Sequence, residues 1–407
     1  MTIARAYLVG PPASDLGQPV AGVSLFLRTL LHLQDAGIKR AYLRDCTPGP
    51  WTDKARSDPR LALELDVDDT ASPSGPALVV PLGAVWHPAV GRRLARSELA
   101  PGELVAIGSA SSSIYAAGES ATADVVAAVA RGDTPSAPRE TPASPEFVIT
   151  IRGESDGRDA RAALFRSLFK PTDGIVSRYL NRRLSMAVTR LLLSTSVTPN
   201  QMTFVAALFG IAGVVLAWPG GRWQLVLAAL LVQTQSVLDG CDGEIARLKH
   251  LRSWIGEWLD QVFDDFVNIA FLVAVGHALS TGGTWFSPFA WPIAMVALVL
   301  HTSYQIGLYV ALWTKGNKRG SVTAIRWRGQ GPPKAPPTTV AGRRWFFVKK
   351  LFEDAGRRDF FTFAYVPCAL LGVTEIAFTW HAVIAAMSGV LTTSQWLFMG
   401  GPESAES

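Results

Sequence analysis

Residues 237–266 read VLDGCDGEIARLKHLRSWIGEWLDQVFDDF, and four aspartates in this stretch, Asp239, Asp242, Asp260 and Asp264, lie in or beside apolar runs of membrane-spanning character. Carboxylates at that depth are costly, so they line a polar cavity and hold cations. Asp239 and Asp242 are i and i+3, Asp260 and Asp264 are i and i+4; on helices each pair shares one face, and two such faces can build one site. Cys241 between the first pair has no thiolate partners and is read as a small spacer. A donor set of carboxylates alone suits a hard cation, Mg2+ or Mn2+, and such cations serve phosphate chemistry. Gly243 and Gly256 leave room for close approach of a ligand, Ala246 is small, and Arg247 offers a planar fork for phosphate oxygens. Glu257 and Asp265 fall outside this pattern and are read as facing interfacial water.

Outward from this stretch the chain has two physical kinds. Its 407 residues carry a formal charge of +5 and 49% hydrophobic residues, but the apolar runs are short and charge-broken before about residue 200. From Met202 onward they reach the ~20 residues that cross a bilayer. Six spans are expected: Met202 to Trp218, Trp223 to Val237, Ile255 to Leu279, Phe289 to Leu312, Phe361 to Phe378 and His381 to Phe398. Arg247, Lys249 and Arg252 follow the second, and twelve Lys and Arg occupy positions 315–358 after the fourth, whereas STGGTWFS after the third is uncharged. The positive-inside bias therefore puts both termini and the aspartates on the cytoplasmic side of an inner membrane. Trp218, Trp223, Trp285 and Trp291 fall near span ends, as an interfacial belt requires. The N-terminus lacks an apolar core long enough for a secretory signal, and Cys46, Cys241 and Cys368 show no disulfide or metal spacing.

Before the spans, residues 169–200 read as an amphipathic interfacial helix and junction. Ile175, Leu180, Leu184 and Val188 fall near one face, with Arg178, Arg182, Arg183 and Arg190 around the rest, suited to an anionic leaflet. Pro199 breaks that helix, and Asn200 and Thr203 open the first span. Residues 1–168 read as a Rossmann-like α/β domain: apolar strands ARAYLVG, KRAYLRD, ALVVPLGA and ELVAIGS alternate with helical stretches VSLFLRTLLHLQDAG and TADVVAAVARG. A Pro-, Ser- and Thr-rich linker at 132–145 precedes FVITIRG and the helical DARAALFRSLF. An α/β domain followed by an all-α six-helix transmembrane domain at 201–400 is the expected architecture.

The spacing D-x2-D-G-x2-A-R-x8-G-x3-D-x3-D from Asp239 to Asp264 resembles the signature of the CDP-alcohol phosphatidyltransferase family. That resemblance implies transfer of a substituted phosphate from a CDP-linked donor to an alcohol acceptor with release of CMP, in phospholipid synthesis. It implies two divalent ions on Asp239, Asp242, Asp260 and Asp264, with Asp264 also the general base, and a nucleotide floor of Gly243, Ala246, Arg247 and Gly256. TPNxxT at 198–203 resembles the text that opens the first span in this family, making Asn200 and Thr203 nucleotide contacts. Arg357 and Arg358, closing the basic segment, are candidate acceptor contacts. Partners are then the two substrates, the bilayer and a second copy of the chain as a homodimer, with no nucleic acid.

The N-terminal pattern, including PVAGVSLFLRTLLHLQDAGIKRAYL, resembles a nucleotidyltransferase domain of the sugar-phosphate cytidylyltransferase type, which in bifunctional inositol-phosphate enzymes precedes such a membrane domain. An active one needs a Gly-rich loop with an Arg after its first strand, to cradle a triphosphate. Here LVGPPASDLGQPV supplies the adjacent Pro11 and Pro12 and no basic residue, and the later metal-binding position reads PLGAVWHP, with His87 a lone histidine. The domain is read as degenerate and inactive. Two alternatives to a lipid product stand: synthesis of a soluble phosphodiester such as di-inositol phosphate, and divalent-cation transport, against which the Gly, Ala and Arg positions argue.

Overall fold

The computed structural model describes residues 3–10, 15–67, 72–109, 112–135, 139–141, 146–170, 173–316 and 353–404, with isolated positions between 318 and 351. Most of the basic segment at 315–358, part of the linker at 132–145, and Pro11 and Pro12 lie outside the described residues. The chain divides into one unit of Met1–Lys170 with Leu248–His250, and a second of Pro171–Arg247 with Leu251–Ser407.

The first unit is α/β. Its strands are β1 (Arg5–Val9), a β2–β3 hairpin (Pro19–Val20, Val23–Ser24), β4 (Arg40–Arg44), β5 (Glu64–Asp66), β6 (Ala77–Pro81), β7 (Ala84–Trp86), β8 (Leu104–Ser109), β9 (Ser112–Ala117), β10 (Arg139–Thr141) and β11 (Val148–Thr150). Interleaved helices are α1 (Leu25–Asp35), α2 (Pro50–Arg56), α3 (Pro88–Ala95), α4 (Thr122–Ala130) and α5 (Glu154–Arg166). Seven strands form one sheet in the order β10-β8-β9-β6-β1-β4-β5. The expected strands β1, β4 and β6 pair in parallel, their near-continuous Val, Leu, Ala and Tyr runs buried as helix-covered strands require. Strand β9 does not join the parallel set, running antiparallel to both β6 and β8. Its text, SSIYAA, is separated from the end of β8 by only two residues, which leaves no room for a crossover helix.

Within this unit Arg28 of α1 is buried, its Nη2 donating to the carbonyls of Val20 at 2.7 Å, Ala21 at 3.1 Å and Leu248 at 2.8 Å. Burial brings that guanidinium down to about 9. His32, one turn on, is wholly enclosed against Trp86 and His250, and desolvation holds it well below its ordinary value.

The second unit is helical. A π-helical turn, Ser177–Asn181, runs into α6 (Arg182–Leu192), followed by α7 (Pro199–Ala217), α8 (Arg222–Leu248), α9 (Trp254–Thr281), α10 (Ser287–Thr314), α11 (Arg358–Leu371) and α12 (Thr374–Met399). Five of these, α7 to α10 and α12, are long and apolar enough to cross a membrane. Their shared core is built from small residues and a few aromatics, among them Ala228, Ala274, Ala294, Leu272 and Phe378. Outward positions such as Leu208, Val215, Leu227 and Val299 leave apolar side chains exposed, the pattern a lipid solvent permits.

Two expectations shift here. The break expected between Phe378 and His381 falls instead at Gly372, whose left-handed conformation (φ 78°) ends α11 after 14 residues. Helix α12 then runs unbroken through His381, which sits buried with its ring stacked on Phe361 and its Nδ1 3.2 Å from the Tyr365 hydroxyl. The second shift concerns Arg182, expected on the leaflet-facing rim of an interfacial helix. It is mostly enclosed, with Asp173 at 3.4 Å and Glu244 at 3.1 Å, while Arg183 and Arg190 are exposed together with Leu184 and Leu191. The helix is docked on α8 through its polar side.

Candidate active site

Helix caps set the frame. Thr198 caps α7 in a capping box with Gln201, and Pro199 occupies the first turn, where its missing N–H costs nothing. This fixes Asn200 and Thr203 on the opening turns. Ser253 caps α9 by accepting from the Gly256 N–H at 3.0 Å, so the chain enters α9 with Gly256 on its first turn, one turn before Asp260.

Helices α8 and α9 then deliver the aspartates. Oxygens of Asp239, Asp260 and Asp264 lie within 4.8 Å of one another, close enough to share a cation. Asp242 is engaged differently: buried, it accepts from the Thr203 hydroxyl at 2.6 Å and from the backbone N–H of Gly243. The structure thus ties Thr203, expected to meet nucleotide directly, to the second aspartate.

A cleft opens beside these groups, lined by Pro199, Asn200, Thr203, Asp242, Gly243, Ala246, Leu251, Arg252, Ser253, Gly256, Glu257 and Asp260. All of the expected floor positions except Arg247 are in that lining. A Cβ on Gly256 would come 2.9 Å from both Asn200 Oδ1 and Ser253 Oγ, so a side chain here would displace the Asn200 amide or the Ser253 cap. Arg247 lies against Gly243, where an added Cβ would meet its Nη1 at 3.1 Å, and its Nε and Nη2 are buried with no hydrogen-bond partner among the described residues. Asp260 Oδ1 and Glu257 Oε2 are likewise buried and unpartnered there. Buried acceptors and donors without partners are expensive, and a ligand that satisfies both signs, a cation with a phosphate, answers that cost.

Arg358, at the first position of α11, forks onto Asp239 Oδ2 at 2.6 Å and onto Asp264 Oδ2. Arg357 pairs instead with Asp359 at 3.6 Å, and Asp359 accepts from the Ser177 N–H at 2.7 Å. The two candidate acceptor residues therefore have separate surroundings, and only Arg358 is with the aspartates.

Three contacts escaped sequence reasoning. Gln235, one turn before Asp239 on the same face of α8, donates its amide to Asp264 Oδ1 at 2.7 Å. Glu244, on the opposite face, is fully buried and accepts from Arg182 at 3.1 Å, Ser185 at 2.6 Å and Thr189 at 2.7 Å. Asp265, expected to face interfacial water, accepts from Tyr309 and from Gln261, each at 2.8 Å. Polar side chains inside otherwise apolar runs were the available signal, because each needs a partner in lipid.

Residues 196–388 match the family profile described as CDP-alcohol phosphatidyltransferase. Just under half of the chain is thus similar to this family. The four aspartates, the cleft lining, Gln235, Arg247 and Arg358 fall inside the matched span. The chain is similar to proteins named bifunctional IPC transferase and DIPP synthase. That of Thermococcus kodakarensis is 40% identical over 141 residues, 34% of this chain and 30% of the relative, and that of Aquifex aeolicus is 33% identical over 253 residues, 62% and 51%. A phosphatidylinositol phosphate synthase of Corynebacterium glutamicum is 31% identical over 127 residues, 30% of this chain and 53% of that protein. The chain thus matches about half or less of the length of these relatives.

Proposed function

We propose that this protein is an integral-membrane phosphotransferase that moves a substituted phosphate from a CDP-linked donor to an acceptor hydroxyl and releases CMP. The observation that carries the reading is the meeting of three carboxylates with a cleft whose unpartnered groups are of both signs. In the reaction, the acceptor oxygen attacks the phosphorus bearing the donor's alcohol, the bond from that phosphorus to the CMP oxygen breaks, and the acceptor proton passes to Asp264. Asp239, Asp242, Asp260 and Asp264 would hold two divalent ions, Mg2+ or Mn2+, which would supply charge neutralisation for the diphosphate and the departing CMP. The donor set fits such an ion: oxygen ligands only, one of them unpartnered. Gly243, Ala246 and Gly256 give the nucleotide a close floor with Asn200 at its side, and Arg247 offers its free N–H groups to a phosphate. Arg358, at the edge of the carboxylates, is the better placed of the two arginines for an acceptor phosphate.

The same reading puts the site on the cytoplasmic side, since the basic connections at 247–252 and 315–358 mark that side, with the shorter α11 as a sixth apolar element. The N-terminal unit is a degenerate nucleotidyltransferase-like domain without triphosphate chemistry. A lipid product, from CDP-diacylglycerol, is the primary assignment. The name shared by the Thermococcus and Aquifex relatives favours a second, a soluble di-inositol phosphate product. Purified full-length protein incubated with labelled CDP-diacylglycerol or CDP-inositol and inositol phosphate acceptors separates them by which donor yields CMP. No CMP from either pair, across Mg2+ and Mn2+, would refute both.

A further inference from the structure

Asp264 has no oxygen free of a donor. Its Oδ1 accepts the Gln235 amide at 2.7 Å and its Oδ2 accepts Arg358. Asp239 Oδ2 accepts the other arm of the same guanidinium at 2.6 Å. Among the described residues, Asp260 alone of the three clustered carboxylates keeps a buried oxygen without a partner, its Oδ1. A hard divalent ion takes carboxylate oxygens at about 2.0–2.1 Å. Seated on Asp239 Oδ2 and Asp264 Oδ2, it would press against a guanidinium already within hydrogen-bond distance of those atoms, and two cations at that separation repel.

We propose that Arg358 and a divalent cation compete for the Asp239–Asp264 pair, so that the arginine serves as the pair's resident counter-charge and cation binding releases its fork. The inference rests on the divalent-ion reading of the aspartates and goes beyond it by giving Arg358 two alternating partners. The geometry is suited to exchange. Arg358 sits at the first turn of α11, its side chain about a third exposed (31%), so it has solvent to swing into. It is also tied to both α8 and α9 through one fork, so a single displacement frees one oxygen on each helix. Released, the fork is available to an anionic group entering the site, which makes cation binding precede capture of an acceptor phosphate.

The test needs no substrate. Mn2+ is titrated into full-length protein in detergent, without nucleotide, and free Mn2+ is followed by its EPR signal. Competition predicts that Arg358→Gln, which removes the charge and keeps a comparable reach, binds Mn2+ at least about tenfold more tightly than wild type, one decade in the equilibrium constant. Arg358→Lys, a point charge without the fork, should fall between. Should Arg358→Gln fail to fold, Arg358→Lys alone decides, by any tightening beyond twofold. Unchanged or weaker Mn2+ binding in the folded variants overturns the proposal and makes Arg358 a support of the site. Absence of saturable Mn2+ binding in wild type and variants alike overturns it too, along with the divalent-ion reading. A failure of CMP release with intact Mn2+ competition would fall on the phosphotransfer reading alone.

Discussion

Replacing Gln235 by Leu removes one amide and keeps the size and the helix preference of the side chain. Gln235 is buried, and its Cγ lies 3.2 Å from where a side chain at Gly210 of α7 would begin, so the amide is confined between α7 and α9. Its one direct act on the site is the 2.7 Å hydrogen bond to Asp264 Oδ1, which turns the carboxylate plane and leaves Oδ2 toward Arg358. A hydrogen bond to an ionised group is worth about 1.5–3 kcal/mol. If that energy holds the base in its working orientation, kcat for CMP release should fall by roughly 10- to 150-fold, at about 1.4 kcal/mol per decade. Donor KM should stay close to wild type, because Gln235 is outside the lining of the cleft proposed to take the nucleotide. The assay is steady-state CMP release with donor and acceptor varied separately. A kcat within about twofold of wild type, in protein of unchanged melting temperature, would refute the positioning role.

Three further outcomes are expected. Glu244→Leu leaves Ser185 and Thr189 without their acceptor and Arg182 with Asp173 alone, so the detergent-solubilised protein should melt several degrees lower, consistent with the roughly 3–5 kcal/mol cost of breaking a buried pair; an unchanged melting curve would show that α6 is held by other contacts. In the first unit, burial holds His32 and His250 below their unfolded values near 6.5, so their contribution is intact above that pH and is lost as pH falls below it. Hydrogen exchange of α1 peptides should therefore quicken at pH 5 relative to pH 7.5, beyond the intrinsic effect of pH, and His32→Leu should lessen the difference. Incubating the full chain with CTP and inositol 1-phosphate should release no pyrophosphate, and its appearance would contradict the degenerate reading of the N-terminal unit.

Much of the site was legible because its chemistry is local. Asp239 and Asp242 are neighbours on one helix face, as are Asp260 and Asp264, and Pro199 marks the opening of α7 in adjacent text. What stayed hidden depends on which faces meet. Glu244 lies within the motif, but its partners are 55 to 62 residues away, so the pairing with Arg182 and Thr189 could not be read from spacing. Gln235 looks like a tolerated polar residue in a span until α9 is laid beside α8. Arg182 could not be told from its exposed neighbours Arg183 and Arg190, because periodicity reports a polar face without saying whether water, lipid headgroups or another helix satisfies each residue. In the α/β unit the parallel core was visible from continuous apolar runs, whereas antiparallel β9 was missed because a short Ser- and Ala-containing strand carries little signal of its own. The end of α11 turned on Gly372, one residue whose left-handed conformation outweighs the apolar text on either side.

The central claim is phosphotransfer at the carboxylate cluster with Asp264 as the base, and CMP release by wild type and Asp264→Asn tests it most directly. Asparagine keeps the shape of Asp264 and can still contact its neighbours, but it takes up no proton at this position. With Mg2+ and a competent substrate pair, wild type should release CMP only when the acceptor is present. Asp264→Asn should bind the nucleotide donor and release essentially none. Turnover by Asp264→Asn at the wild-type rate, or release in wild type that ignores the acceptor, would contradict the account.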